Sequence, residues 1–412
     1  MKRILVYSHD TFGLGNIRRV LAVSKHLVDS DEDVSVLILT GSPMLHAFRI
    51  PPRVDYVKLP CLSRTREGAY TVKFLSLPYA DTVKLRANLI LSTVLDFRPD
   101  LILVDKKPMG VGNELAFTLE ALQRRTERPK LVLLLRDILD APQTTAAVWH
   151  KNGYFEAVEA FYDSVLVVGA REIFDVVKEY RFPPGCADKV RYCGYIAREA
   201  GKRAAASVRA KLSVAREEHL VLVSAGGGED GYALLSCYLN GLACMPRRSG
   251  VRSLLLCGPE MSDQQRASLH AAAAQLDGVT VEDFTDDMMS YLEAADLAVC
   301  MGGYNTVCEI LTLKKRAIVV PRVKPVQEQW IRAERMAKLG LLQVIHPEEL
   351  TPKRLLNTVY QALDRDNVHA RGLYQMDMNG LAVVARNISQ LIGNRDAAAS
   401  VRTSERLAFE AT

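Results

Sequence analysis

Short runs of β-branched and leucine residues alternate along the chain with longer stretches of mixed polar and apolar residues, each long enough for a helix. In the first half the runs are 4–8 (ILVYS), 34–39 (VSVLIL), 101–105 (LILVD), 131–137 (LVLLLRD) and 164–169 (SVLVVG). Strands alternating with helices in this way predict a parallel, doubly wound sheet. The rhythm stops after Tyr195, where a polar, basic, alanine-rich stretch reads as a linker over 196–216. It resumes at 221–226, 253–258, 279–284, 297–302, 317–321 and 341–345. The expected architecture is α/β, with two Rossmann-like domains (1–195 and 217–365) facing across a cleft at the carboxyl ends of their strands. A helical segment is expected over 366–394, and the Ala-, Ser- and Arg-rich tail 395–412 is expected to be disordered.

Composition changes this picture little. A chain of 412 residues, 49% of them hydrophobic, has enough apolar material for two cores. A net charge of +5 and 7% aromatics, with no basic-aromatic run, argue against nucleic acid as a partner. The charge suits a phosphorylated small molecule or an anionic membrane face equally well. The eight cysteines form no C-x-x-C pair, so buried cytosolic thiols are expected. Met-Lys-Arg leads straight into the first strand, and no apolar run approaches the ~20 residues of a spanning helix. A cytoplasmic protein is therefore expected. The segment Phe74–Leu95, which contains Lys84 and Arg86, reads as a core helix, with peripheral contact to the inner face of the membrane as the alternative.

Three glycine-bearing turns carry candidate chemistry. The first runs from Ser8 through His9, Asp10, Gly13, Gly15 and Asn16 to Arg18 and Arg19, between a strand and an amphipathic helix. It lacks the third glycine of a dinucleotide fingerprint. The second, Gly226-Gly227-Gly228, exposes consecutive amides as an anion nest would. In the third a strand ends in Gly302-Gly303, and Tyr304, Asn305 and Thr306 open a helix whose free amides attract phosphate. Glu309 lies four residues beyond Asn305 on the same face, one turn away, where its carboxylate could accept two ribose hydroxyls. Asp286 and Asp287 read as a cap for the helix that follows them. No Asp-x-Asp pair stands at a strand end, so a metal-independent reaction is expected.

The order Phe284-x-Asp286-Asp287-Met288, Ala295-Asp296 before a strand, Gly303-x-x-Thr306-Val307-x-Glu309, a strand ending in Pro321 and then Gln329-Trp330 resembles the donor domain of family 28 glycosyltransferases. The likeness is close over roughly 218–345 and looser elsewhere. It is strongest toward a bacterial subgroup of predicted glycosyltransferases with a Gly-Gly-Tyr-Asn-Thr signature. The resemblance implies a GT-B fold, a nucleoside diphosphate sugar as co-substrate with no other cofactor, and inversion at the anomeric carbon. It also implies transfer of a hexose or amino-hexose, from a UDP-linked donor, to a hydroxyl acceptor that could be lipid-linked, a polysaccharide or a natural-product intermediate. By the same resemblance Phe284 and Thr285 lie against the base and Glu309 binds ribose. Gly226–Gly228 and Gly303–Thr306 cradle the diphosphate, and Glu328 and Gln329 bind sugar hydroxyls.

One position departs from the pattern. Where the subgroup carries histidine after the second glycine, this chain has Asn16, and an amide has no usable basicity near neutral pH. His9, Asp10 and Asp105 are the alternative bases at strand ends, while Arg136 and Asp137 are candidate acceptor or phosphate contacts. Two other readings stay open: a nucleotide-sugar hydrolase of the same architecture, and a nucleotide-sugar-binding protein without turnover.

Overall fold

The computed structural model describes residues 1–9, 15–45, 48–64, 69–246, 248–364 and 376–393. Two compact units emerge: Met1–Gly194 joined by the chain from Asn379 onward (unit 1), and Tyr195–Met378 (unit 2).

Unit 1 is built on β1 (Lys2–Ser8), β2 (Val34–Thr40), β3 (Val54–Lys58), the hairpin strands β4 (Leu62–Arg64) and β5 (Tyr70–Val72), β6 (Leu101–Asp105), β7 (Lys130–Arg136), β8 (Ser164–Val168) and β9 (Val190–Tyr192). All but the hairpin form one parallel sheet in the order β3-β2-β1-β6-β7-β8-β9. Unit 2 contains β10 (His219–Ser224), β11 (Val251–Leu256), β12 (Val279–Glu282), β13 (Leu297–Cys300), β14 (Ala317–Val319) and β15 (Gln343–Val344), parallel in the order β12-β11-β10-β13-β14-β15. Every apolar run named above overlaps one of these strands. The runs lack alternation because helices cover both faces: β6, β8 and β13 are buried at every position. Strand order reverses between β1 and β6 and again between β10 and β13, and the turns leaving those strands flank the point where an open α/β sheet takes its ligand.

Residues 196–216 are not a free linker. They carry a helix, Ala205–Lys211, and their cations pair with acids of unit 2: Lys202 with Asp286 (2.5 Å), Arg203 with Asp287 (3.1 Å) and Arg209 with Asp296 (3.1 Å). Asp287, at the N-cap position of the helix Met288–Ala294, also accepts the Lys202 N–H at 3.1 Å. Three cations of this basic stretch are thus matched by carboxylates some 85 residues away. The helix over residues 380–393 belongs to unit 1 and buries Val384, Ile388 and Ile392. The expected disordered tail lies outside the described residues.

The helix Tyr79–Phe97 bears out the core reading of its segment. One face is core, with Arg86, Ala87, Ile90 and Val94 buried, while Leu85 and Leu89 remain exposed. Phe74, Leu75 and Leu77, just ahead of it, are exposed too. Among the described residues no helix is long and apolar enough to cross a membrane.

Candidate functional site

The turn after β13 is the best-formed feature of unit 2. Gly303 is the N-cap of the helix Tyr304–Thr312 and supplies no side chain to it, so the first amides of that helix are left without a side-chain cap. A Cβ at Gly303 would meet nothing within 4 Å, so the approach to those amides is open. Arg198, from the stretch read as linker, donates to Asn305 Oδ1 at 2.5 Å, and its backbone N–H to Thr312 Oγ1 at 3.1 Å. Its Nε is buried with no hydrogen-bond partner. The guanidinium meets a neutral amide, so a full positive charge is added to the positive end of the helix rather than being cancelled.

Beneath this turn Arg332 is fully buried. Its Nη1 donates to Gly302 O at 2.8 Å, its Nη2 faces Glu328 at 3.3 Å, and its guanidinium lies 5.7 Å from the Tyr304 ring centroid. Tyr304 in turn stacks on Tyr195 at 5.9 Å. Glu328 and Gln329, expected as sugar contacts, are largely enclosed. The Glu328 carboxylate faces Arg332 and, at 3.8 Å, Arg322, while Gln329 Oε1 accepts the Arg322 N–H at 3.0 Å. Glu309 is 3% exposed. Burial, and then the nearby Glu309 charge, push the Cys300 thiol up to about 12, which keeps it an inert core residue.

The glycine loop after β10 is shaped by close backbone packing. Gly228 has φ +101°, and a Cβ there would lie 2.6 Å from Cys257 O. Its electrostatics differ from those of the β13 turn, because Glu229, Asp230 and Glu260 are exposed around it and a Cβ at Gly227 would reach Glu260 Oε2 at 3.0 Å. Arg322 offsets this in part, reaching Asp230 at 3.4 Å. Phe284, two residues past β12, is 55% exposed, and Thr285 Oγ1 accepts the Asp287 N–H at 3.1 Å. With strands ~4.8 Å apart, β12 and β13 are separated by roughly 14 Å along the same sheet edge.

In unit 1, Asn16 Nδ2 donates to His9 O at 2.5 Å and Asn16 Oδ1 accepts from Arg19 at 3.2 Å. Arg19 also holds Asp105 at 2.6 Å, and both side chains are buried. Asp105 is therefore ion-paired as well as buried. His9 is fully buried as well, with Nε2 3.4 Å from Tyr70 Oη. Arg18 is half-buried on the helix Gly15–Ser30. Asp137 Oδ1 caps the Ile138 N–H, and Arg136 ends β7. Asp10 and Gly13 lie outside the described residues. Arg198, Arg322, Arg332, Tyr70 and Lys107 were not among the expected site residues. Only Arg332 left a trace in the sequence, as a charge on the apolar face of the helix Glu328–Lys338.

Two Rossmann-like units of this topology define the GT-B fold, and the crystal structure of MurG from Acinetobacter baumannii shares it, with a TM-score of 0.61 at 17% identity over 95% of this chain and 100% of that one. Residues 221–390 match the glycosyltransferase family 28 C-terminal domain, a stretch that covers most of unit 2 and runs into the last described helix of unit 1. An uncharacterised glycosyltransferase of Methanopyrus kandleri is 25% identical over 38% of this chain and 42% of its own length. The UDP-N-acetylglucosamine–N-acetylmuramyl-(pentapeptide) pyrophosphoryl-undecaprenol N-acetylglucosamine transferase of Glaesserella parasuis is 38% identical over 19% of this chain and 22% of its own. The chain thus spans less than half the length of these relatives.

Proposed function

We propose that this protein is a glycosyltransferase that moves a hexose or amino-hexose from a nucleoside diphosphate sugar, UDP-linked, to a hydroxyl acceptor, with inversion and without a metal ion. The observation that carries the proposal is the turn at Gly302–Thr306, where an uncapped, open helix N-terminus and the Arg198 guanidinium converge. A departing diphosphate needs such a concentration of positive potential, and these groups supply it without reorganising during the reaction. Exposed Phe284, on the same sheet edge, offers a flat apolar surface for a base, and the relatives' names and the matched domain point to the same donor class. Glu309 is assigned to the ribose, and the Gln329 amide to the sugar.

The acidic surroundings of the Gly226–Gly228 loop favour the β13 turn as the principal diphosphate site. The exposed Phe74, Leu75 and Leu77 beside Lys73 and Lys84 support contact with the inner face of a membrane, as a lipid-linked acceptor would require.

Calorimetric titration with uridine, thymidine, guanosine and adenosine diphosphates, with and without a divalent ion, tests the donor site. Uridine diphosphate should bind best, without metal, and Glu309→Ala should weaken it by about 1–3 kcal/mol. Absence of binding to all four would remove the transferase reading; unchanged affinity in the variant would remove the ribose assignment alone.

A further inference from the structure

The reversal point of the unit 1 sheet holds a connected set of proton-bearing groups. His9 follows β1 and Lys107 follows β6, the two strands between which the order reverses, and Tyr70 on β5 reaches both. Lys107 Nζ donates to Tyr70 Oη at 2.9 Å and lies 5.0 Å from the ring centroid, and on its other side Tyr70 Oη is 3.4 Å from His9 Nε2. The His9 and Tyr70 rings meet edge to face at 6.4 Å. His9 is fully buried, whereas Tyr70 is half-buried. Asn16 grips the His9 backbone carbonyl and is itself held by Arg19, whose charge is spent on Asp105.

We propose that Tyr70 is the catalytic residue that receives the acceptor's proton, with His9 as the proton store behind it and Asn16 as the positioning residue that fixes His9. This rests on the transferase reading above. In the step, an electron pair of the acceptor oxygen forms the bond to the anomeric carbon, and the bond from that carbon to the diphosphate oxygen breaks with its pair leaving on the diphosphate. The acceptor's proton passes to Tyr70 Oη while the phenol's own proton passes to His9 Nε2, so Tyr70 ends unchanged and His9 ends as imidazolium. That proton later returns through the phenol to water. Lys107, donating to the phenol oxygen, opposes any negative charge that develops there in mid-transfer. Lys107 from the β6 turn is the charge bonded to the phenol, and Arg19, bonded to Asn16, is paired with Asp105. This arrangement moves the base away from position 16, where asparagine has no basicity, without removing a base from the unit.

The test measures uridine diphosphate release from UDP-N-acetylglucosamine and UDP-glucose, with water as acceptor, by wild type, Tyr70→Phe, His9→Gln, the double variant and Lys107→Met. Uridine diphosphate affinity and melting temperature are recorded for each protein. Tyr70→Phe, which keeps the ring and its packing, is expected to slow release about 100-fold or more with affinity within twofold of wild type. His9→Gln should match it, and the double variant should be no slower than either, because one relay can be broken only once. The pH profile of the rate is recorded for wild type and for Tyr70→Phe. Tyr70→Phe turning over at the wild-type rate with the wild-type pH profile overturns the relay alone. A wild type that binds no uridine diphosphate overturns the transferase reading on which the relay rests.

Discussion

The two units repeat one strand order, yet the strand beyond each reversal ends in opposite chemistry. In unit 1, β6 ends at Asp105, whose carboxylate is cancelled by Arg19 at 2.6 Å, both out of solvent. In unit 2, β13 ends at Cys300 and passes into Gly302-Gly303, and Arg198 meets only the neutral amide of Asn305. The fold positions a turn in both units; the charge left over in the turn decides whether an anion is drawn to it. Unit 1 has cancelled its strand-end carboxylate and keeps a phenol, an imidazole and the Lys107 ammonium nearby, which suits proton handling. Unit 2 has kept its positive potential, which suits a diphosphate.

The largest effect should come from unbalancing the neutral side. Asp105→Asn leaves Arg19 buried without its counter-charge and should cost about 3–5 kcal/mol of stability, read as a lower denaturation midpoint, while the nucleotide affinity of the folded fraction stays unchanged. An equal loss of nucleotide affinity would mean that the two turns are not chemically separate. On the charged side, Arg198→Ala should weaken uridine diphosphate by about 1.5–3 kcal/mol, and the wild-type advantage should shrink in high salt. If salt makes no difference, the guanidinium acts by shape rather than charge. The smallest effect concerns the exposed face of unit 1. Lys84→Ala should lower binding to vesicles containing anionic lipid by about 1 kcal/mol in a flotation assay and leave binding to neutral vesicles as it was. Equal binding of wild type to both vesicle types would point to a purely apolar contact through Phe74, Leu75 and Leu77.

Much of this molecule is legible in one dimension. Strands buried on both faces have no solvent side to interrupt them, so LILVD, SVLVVG and LAVCMG announce themselves as unbroken apolar runs. The β4–β5 hairpin does not, because its strands are three residues long and mixed in polarity, and the relay tyrosine was hidden with it. The ion pairs of the 196–216 stretch were hidden for a related reason: composition records its positive charge but not the aspartates at 286, 287 and 296 that receive it.

By itself, then, the sequence determined the α/β architecture, the two-unit repeat and the place of the Gly302–Thr306 turn, because each depends on residues close together in the chain. Periodicity, a glycine pair and a helix start are local properties. Only the tertiary structure decided which charges stand at those turns. Arg198 meets Asn305 across 107 positions, Arg19 meets Asp105 across 86, and Tyr70 meets His9 across 61. A buried charge or proton carrier is defined by its partner, and sheet topology, rather than distance along the chain, selects that partner.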